Sequence, residues 1–107
     1  FNQELSECDV SSCKTIKEMF QNAIEFNQSI GNWDVSQVKY MSYAFDNAFS
    51  FNQDISNWDV SSCVNMQAMF SGSKFNQNIT QWDVSSVTDY MEVFDSAQDF
   101  NPRYSPW

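Results

Sequence analysis

FNQDISNWDVSSCVNMQAMF, residues 51–70, is the stretch whose copies fill this chain. FNQ opens it at Phe51 and opens further copies at Phe1, Phe26 and Phe75, while FNP repeats the opening at Phe100. Successive starts lie 25, 25, 24 and 25 residues apart. Self-similarity at a fixed period of about 20–50 residues marks a stacked repeat array, because one such unit cannot bury its own apolar face. The 107 residues divide into coils 1–25, 26–50, 51–74 and 75–99 and a half coil, 100–107, all within a single repeat domain, 1–107. Counted from each opening Phe, position 20 is Phe in every full coil: Phe20, Phe45, Phe70 and Phe94.

Within a coil, Phe at position 1, Ile or Leu at 5 and usually Trp at 8 are separated by polar residues, the pattern of a short strand and its turn. Asp-Val-Ser follows, and beyond it apolar residues fall at helical spacing. In coil two these are Val38, Met41, Phe45 and Ala48, and in coil four Val87, Tyr90, Phe94 and Ala97. Intervals of 3, 4 and 3 draw one apolar stripe on a three-turn helix. Ser11, Ser36, Ser61 and Ser85 stand where its N-cap belongs. The expected fold is therefore an α/β solenoid: a leucine-rich-repeat-like, right-handed stack of one short strand and one helix per coil. Strands stack at about 4.8 Å and helices at about 8–10 Å, so the stack should curve, with a parallel sheet on its concave side. The predicted core of coil two is Ile30, Trp33, Val35, Val38, Met41 and Phe45.

Composition removes several function classes. Five Lys+Arg against 14 Asp+Glu leave a formal charge of −9. No basic face can replace the counterions of a phosphate backbone, so nucleic acid is excluded as a partner, and an anionic membrane surface is disfavoured. The chain holds no His, which excludes Ser-His-Asp, Cys-His and His-zinc chemistry. No stretch approaches the roughly 20 apolar residues of a membrane span, so no membrane insertion is expected. At 42% hydrophobic and 17% aromatic residues, the chain is too apolar for a disordered acidic tail. Cys8, Cys13 and Cys63 fit no metal spacing. Cys13 and Cys63 share a repeat position two coils apart, at least about 9 Å, beyond the roughly 7 Å limit for a disulfide, so free thiols are expected.

The coil resembles MF-x-x-A-x-x-FNQ-D-I-S-x-WDVS-x-V-x-x-M, the pattern of the BspA-like leucine-rich-repeat surface proteins, over almost the whole chain. That resemblance implies an extracellular or cell-surface location and a role in adhesion, with a surface protein or glycan as partner. Cys8 replaces the pattern's Trp, Cys13 and Cys63 replace its Val, and Met91 stands one place late with Tyr90 in the core position. All read as tolerated apolar swaps.

Four rows of residues are candidates for function. Asp9, Asp34, Asp59 and Asp83 recur at one position, and like charges about 5 Å apart would repel by about 3 kcal/mol at an effective dielectric near 20. Asx turns onto the following Ser are the expected compensation; calcium between coils is the weaker alternative, and no other cofactor is implied. Asn2, Asn27, Asn52, Asn76 and Asn101 suit a ladder that ties successive turns through backbone groups. Trp33, Trp58, Trp82 and Trp107 read as core, with a sugar-stacking platform as the rival. The variable positions are the binding candidates: Glu4, Ser29, Asp54, Asn78 and Arg103, then Ser6, Gly31, Ser56, Thr80 and Ser105, expected on the concave face where repeat proteins carry recognition. Asn78 and Asn27 match the N-glycosylation acceptor, with Asn78 the better placed.

The functional expectation is a non-enzymatic extracellular module for adhesion or recognition of protein or glycan. The alternative is a structural protomer of an extracellular filament or stalk. A glycosidase would need two differently tuned carboxylates across a cleft, and the repeat makes the aspartates equivalent. Pro102 and Pro106 remove N–H groups and are expected to seal the C-terminal end of the stack. The first coil has no such device, which suggests upstream repeats or end-to-end self-association there.

Overall fold

The computed structural model describes residues 9–107, within extents of 31 × 29 × 20 Å. The copies lie one upon another, each residue on its counterpart in the next coil. Parallel bridges link Thr15 to Tyr40, Tyr40 to Asn65 and Asn65 to Asp89, all at position 15. From there the backbone amides at positions 16, 18, 20 and 22 donate to carbonyls of the following coil. Ile16, Glu18, Phe20 and Asn22 donate to Tyr40, Ser42, Ala44 and Asp46 at 2.8–3.0 Å. The next junction repeats this from Met41, Tyr43, Phe45 and Asn47, and the third from Met66, Ala68, Phe70 and Gly72.

The amides between them stay inside their own coil. Met19 donates to Ile16, Gln21 to Glu18 and Ala23 to Phe20, each an i to i−3 turn, and the other coils repeat the set. Two residues per coil take the left-handed conformation: Glu18 and Asn22, Tyr43 and Asn47, Ala68 and Gly72, Glu92 and Ser96, with φ between 53° and 67°. Positive φ at the third residue of a turn is the type II geometry. Position 22 carries residues that tolerate it, Asn, Gly or Ser. Position 18 holds Glu, Tyr or Ala, where the left-handed region costs about 1–2 kcal/mol relative to the right-handed one. The axial bonds that this geometry makes available offset the strain.

The strand-plus-helix solenoid is therefore not the fold. Among the described residues there is no α-helix and no sheet; the one regular element is a 3-10 turn, Pro102–Tyr104. An α-helix needs every interior N–H directed to i−4 within its own segment, and here alternate N–H groups point along the stack instead. The 3-4-3 spacing has another cause. Val35 and Val38, Ile30 and Trp33, Met41 and Ala44, and Phe45 and Ala48 are the first and last residues of hydrogen-bonded turns. All of them are buried, so each turn presents both its ends to the core. The expected strand at positions 1–8 likewise contains the Ile30-to-Trp33 turn, and the parallel bridges fall at position 15. Without helices there is no mismatch of spacing to force curvature, and no concave sheet to carry a binding face.

Aromatic columns fill the interior. Phe20, Phe45, Phe70 and Phe94 succeed one another at 5.5–5.9 Å, nearly parallel. Phe26, Phe51, Phe75 and Phe100 run beside them at 5.8–6.1 Å. The columns interlock, since Phe45 stacks on Phe51 at 4.1 Å and Phe70 on Phe75 at 4.2 Å. These separations lie close to the range favoured for offset aromatic pairs. The six predicted core residues of coil two are all buried. Tyr90, expected in the core, is not buried: it is 50% exposed, and Met91 beside it is 63% exposed.

Two substitutions test this architecture. The ring of Phe45 is fully buried against Phe20, Phe51, Trp58 and Phe70. Phe45→Ala should therefore cost about 3–5 kcal/mol in a urea titration, and an unchanged midpoint would contradict the aromatic columns. Glu18→Gly should raise stability by about 0.5–1 kcal/mol, because glycine relieves a left-handed residue. In a helix the same change would lower stability by about 0.5–1 kcal/mol, so the sign of the shift in urea midpoint decides between the two folds.

Candidate functional site

The aspartate row is built locally. In each coil the backbone N–H and the hydroxyl of the serine two residues on both donate to one carboxylate oxygen. Ser36 gives Asp34 bonds of 3.0 and 2.6 Å, and Ser11, Ser61 and Ser85 repeat this on Asp9, Asp59 and Asp83. These serines close Asx turns rather than capping helices. The bonds hold all four carboxyls below their ordinary pKa, with the serine hydroxyl the largest cause. Neighbouring aspartates oppose the shift weakly at Asp34 and Asp59. Exposure to water screens the repulsion along the row. No group of three or more Asp, Glu or Cys residues converges on a common point among the described residues.

The asparagine row ties the coils together at the surface. Asn27 Oδ1 accepts from the backbone N–H of Asn52 at 2.9 Å, Asn52 Oδ1 from Asn76 at 2.8 Å, and Asn76 Oδ1 from Asn101 at 2.8 Å. The amide of Gln53 reaches back to the Asn27 carbonyl, and Gln77 to that of Asn52. Inside, Trp33, Trp58 and Trp82 are buried and stack in parallel at 6.5 Å. Trp58 donates its indole N–H to the Ile30 carbonyl and Trp82 to that of Ile55. These three indoles are core and offer no platform. Trp107 leaves the row, 40% exposed, and lies on Tyr90 at 4.9 Å.

Of the variable row, Ser29, Asp54, Asn78 and Arg103 all reach the surface, while Glu4 and Ser6 fall outside the described residues. Asp54 accepts from the Ser56 N–H, and Asn78 from both the N–H and the hydroxyl of Thr80. Each therefore shapes a small turn while keeping its remaining polar surface in water. Gly31 is no free choice, because a Cβ there would collide with the Asp54 carbonyl. Of the glycosylation candidates, Asn78 is exposed with its Oδ1 engaged by Thr80, and Asn27 is exposed with its Oδ1 engaged by Asn52.

Sequence reading missed one concave feature. A groove of about 320 Å³ is lined by Asn47, Phe49, Gly72, Lys74, Ser96 and Asp99, among others. It lies where Gly72 offers no side chain between Asn47 and Ser96, in the coil that is one residue short. An exposed pair, Lys74 to Asp99 at 3.8 Å, borders it. The 24-residue spacing was the available signal. Cys13 and Cys63 are free thiols, and burial pushes Cys63 up to about 11; Cys8 lies outside the described residues.

A family model described as "Mycoplasma protein of unknown function, DUF285" matches residues 1–107, so the chain belongs to that family. No curated protein and no solved structure matches it.

The serine-bound aspartates make stability depend on acid. Their native pKa values lie below the unfolded value of about 3.9. Their contribution is complete above that value and disappears as pH falls through the lowered native pKa. Thermal melts should be level above about pH 4 and fall below it. Ser36→Ala with Ser61→Ala should flatten the fall; an unchanged acid limb would show that the Asx turns do not cause it.

Proposed function

We propose that this DUF285 member is a non-enzymatic extracellular module that recognises a surface protein or glycan through its exposed variable row. The observation that carries this reading is a division of labour among the repeated positions. The Asp, Asn, Trp and Phe rows are taken up by turns, coil-to-coil ties and core. Ser29, Asp54, Asn78 and Arg103 differ from coil to coil and stay at the surface at one repeat position. Small polar groups in a row suit hydrogen bonding to a sugar or an extended loop. The likeness of the coils to BspA-like surface repeats supports the same reading and an extracellular location.

The aspartates are held alike by their serines, which gives no separation into acid and base and favours binding over catalysis. Among the described residues no helix is long and apolar enough to cross a membrane.

A glycan array run beside a hydrolysis assay tests the proposal. Capture without turnover is expected, and Asp54→Asn with Arg103→Ala should weaken capture by about tenfold, or about 1.4 kcal/mol. Asn at position 54 keeps an oxygen for Ser56, so the turn survives. Hydrolysis, or capture indifferent to the row, would overturn it.

A further inference from the structure

The groove at Gly72 comes from a single missing residue. Two residues link position 23 to the next opening Phe in coils one, two and four: Ile24-Glu25, Phe49-Ser50 and Gln98-Asp99. Coil three has only Lys74 between Ser73 and Phe75. In the longer coils the opening Phe donates its backbone N–H to the Ala carbonyl at position 23, as Phe51 does to Ala48 at 3.2 Å. The shorter link replaces that bond. Phe75 donates to the Ser73 hydroxyl at 3.3 Å, which itself donates to the Phe70 carbonyl at 2.8 Å. Ser73, 3% exposed, stands where the other coils have Ala. Position 22 changes as well, since a Cβ on Gly72 would meet Asn47 Oδ1 at 2.5 Å. Three departures from the repeat therefore coincide at one place. Together they hold a notch open while the shortened link keeps its hydrogen bond.

The walls of the notch differ in chemistry. Phe49, from coil two, is 50% exposed and stacks on no other ring among the described residues. Every other described Phe belongs to the columns. Coil four supplies Ser96, Gln98 and Asp99, all exposed. Lys74 and Asp99 lie 3.8 Å apart, too far for a hydrogen bond, so the ammonium keeps its donors and the carboxylate its acceptors. Asn47 uses its amide N–H on Asn22, but its Oδ1 has no hydrogen-bond partner among the described residues, and neither has the Ser96 hydroxyl or the Gln98 amide.

We propose that this notch binds one ring of an uncharged pyranose sugar. Its volume of about 320 Å³ lies at the small end of small-molecule sites, roughly 300–1,000 Å³, which suits a single ring better than a folded partner. An aromatic face is electron-rich, so Phe49 attracts the polarised C–H groups that a pyranose presents on one side. The opposite wall offers donors and acceptors together, and sugar hydroxyls both donate and accept. Charge decides against an ionic ligand. An anion drawn to Lys74 would face Asp99, and a cation drawn to Asp99 would face Lys74. A neutral polyol uses both members of the pair and opposes neither. This site goes beyond the recognition reading, which rests on the row through Asp54 and Asn78; the two share no residue, and each can fail alone.

Amide NMR spectra of the whole chain, titrated in turn with the methyl glycosides of mannose, galactose and glucose, test the proposal. At least one glycoside should shift the Gly72, Lys74 and Gln98 amides saturably, with a Kd of about 1 mM. Phe49→Ala should weaken that binding about tenfold, while Phe49→Tyr keeps it. Phe49 is half exposed and outside the columns, so its truncation should leave the melting temperature level. Lys74→Met with Asp99→Asn removes the pair and should also weaken binding about tenfold. Asp54→Asn with Arg103→Ala should change nothing here; loss of binding in that variant would place the sugar on the row and overturn the notch, not the recognition reading. Groove amides unmoved by all three glycosides at about fifty times that concentration, or Phe49→Ala binding as well as wild type, would overturn it too.

Discussion

Everything in this fold depends on backbone amides that leave their own coil. Four N–H groups per junction, at alternate positions, reach the carbonyls of the next coil at 2.8–3.0 Å. A buried amide must find a partner, and these find it along the stack. That choice sets the distance between coils, and the distance in turn places Phe on Phe and Trp on Trp. Helices could not stand so close. The left-handed residues at positions 18 and 22 follow from the same demand, since they turn alternate amides outward.

The remaining polar groups serve this arrangement. Asp and Ser close a turn within the coil, while Asn and Gln reach from one coil to its neighbour. Indole N–H groups reach carbonyls of the preceding coil from inside the core. No buried side-chain nitrogen or oxygen among the described residues lacks a hydrogen-bond partner. A chain with two glycines and two prolines in 107 residues thus makes turns almost throughout, by using Asn, Asp and Ser where glycine is more usual. The row through Asp54 and Asn78 closes small turns and still keeps polar surface in water, and the groove at Gly72 stays open beside it.

What the sequence by itself determined was the repeat, its register and the buried set. Phe26, Phe51 and Phe75 at position 1, Phe20, Phe45 and Phe70 at 20, Ile30, Ile55 and Ile79 at 5, and Trp33, Trp58 and Trp82 at 8 are inside as their periodicity requires, and the Asx turns and the asparagine ties follow from residue chemistry. Only the tertiary structure decided helix against turn. The intervals of 3 and 4 between apolar residues suit a helical stripe, but the 3 of Phe45 to Ala48 suits equally the two ends of an i to i−3 turn, and the 4 of Met41 to Phe45 the starts of two successive turns. Position 22 carried a hint in Asn, Gly and Ser; position 18, with Glu, Tyr and Ala, carried none. What settles the matter is where each amide finds its acceptor, and that acceptor lies a whole coil away, beyond the reach of any local pattern.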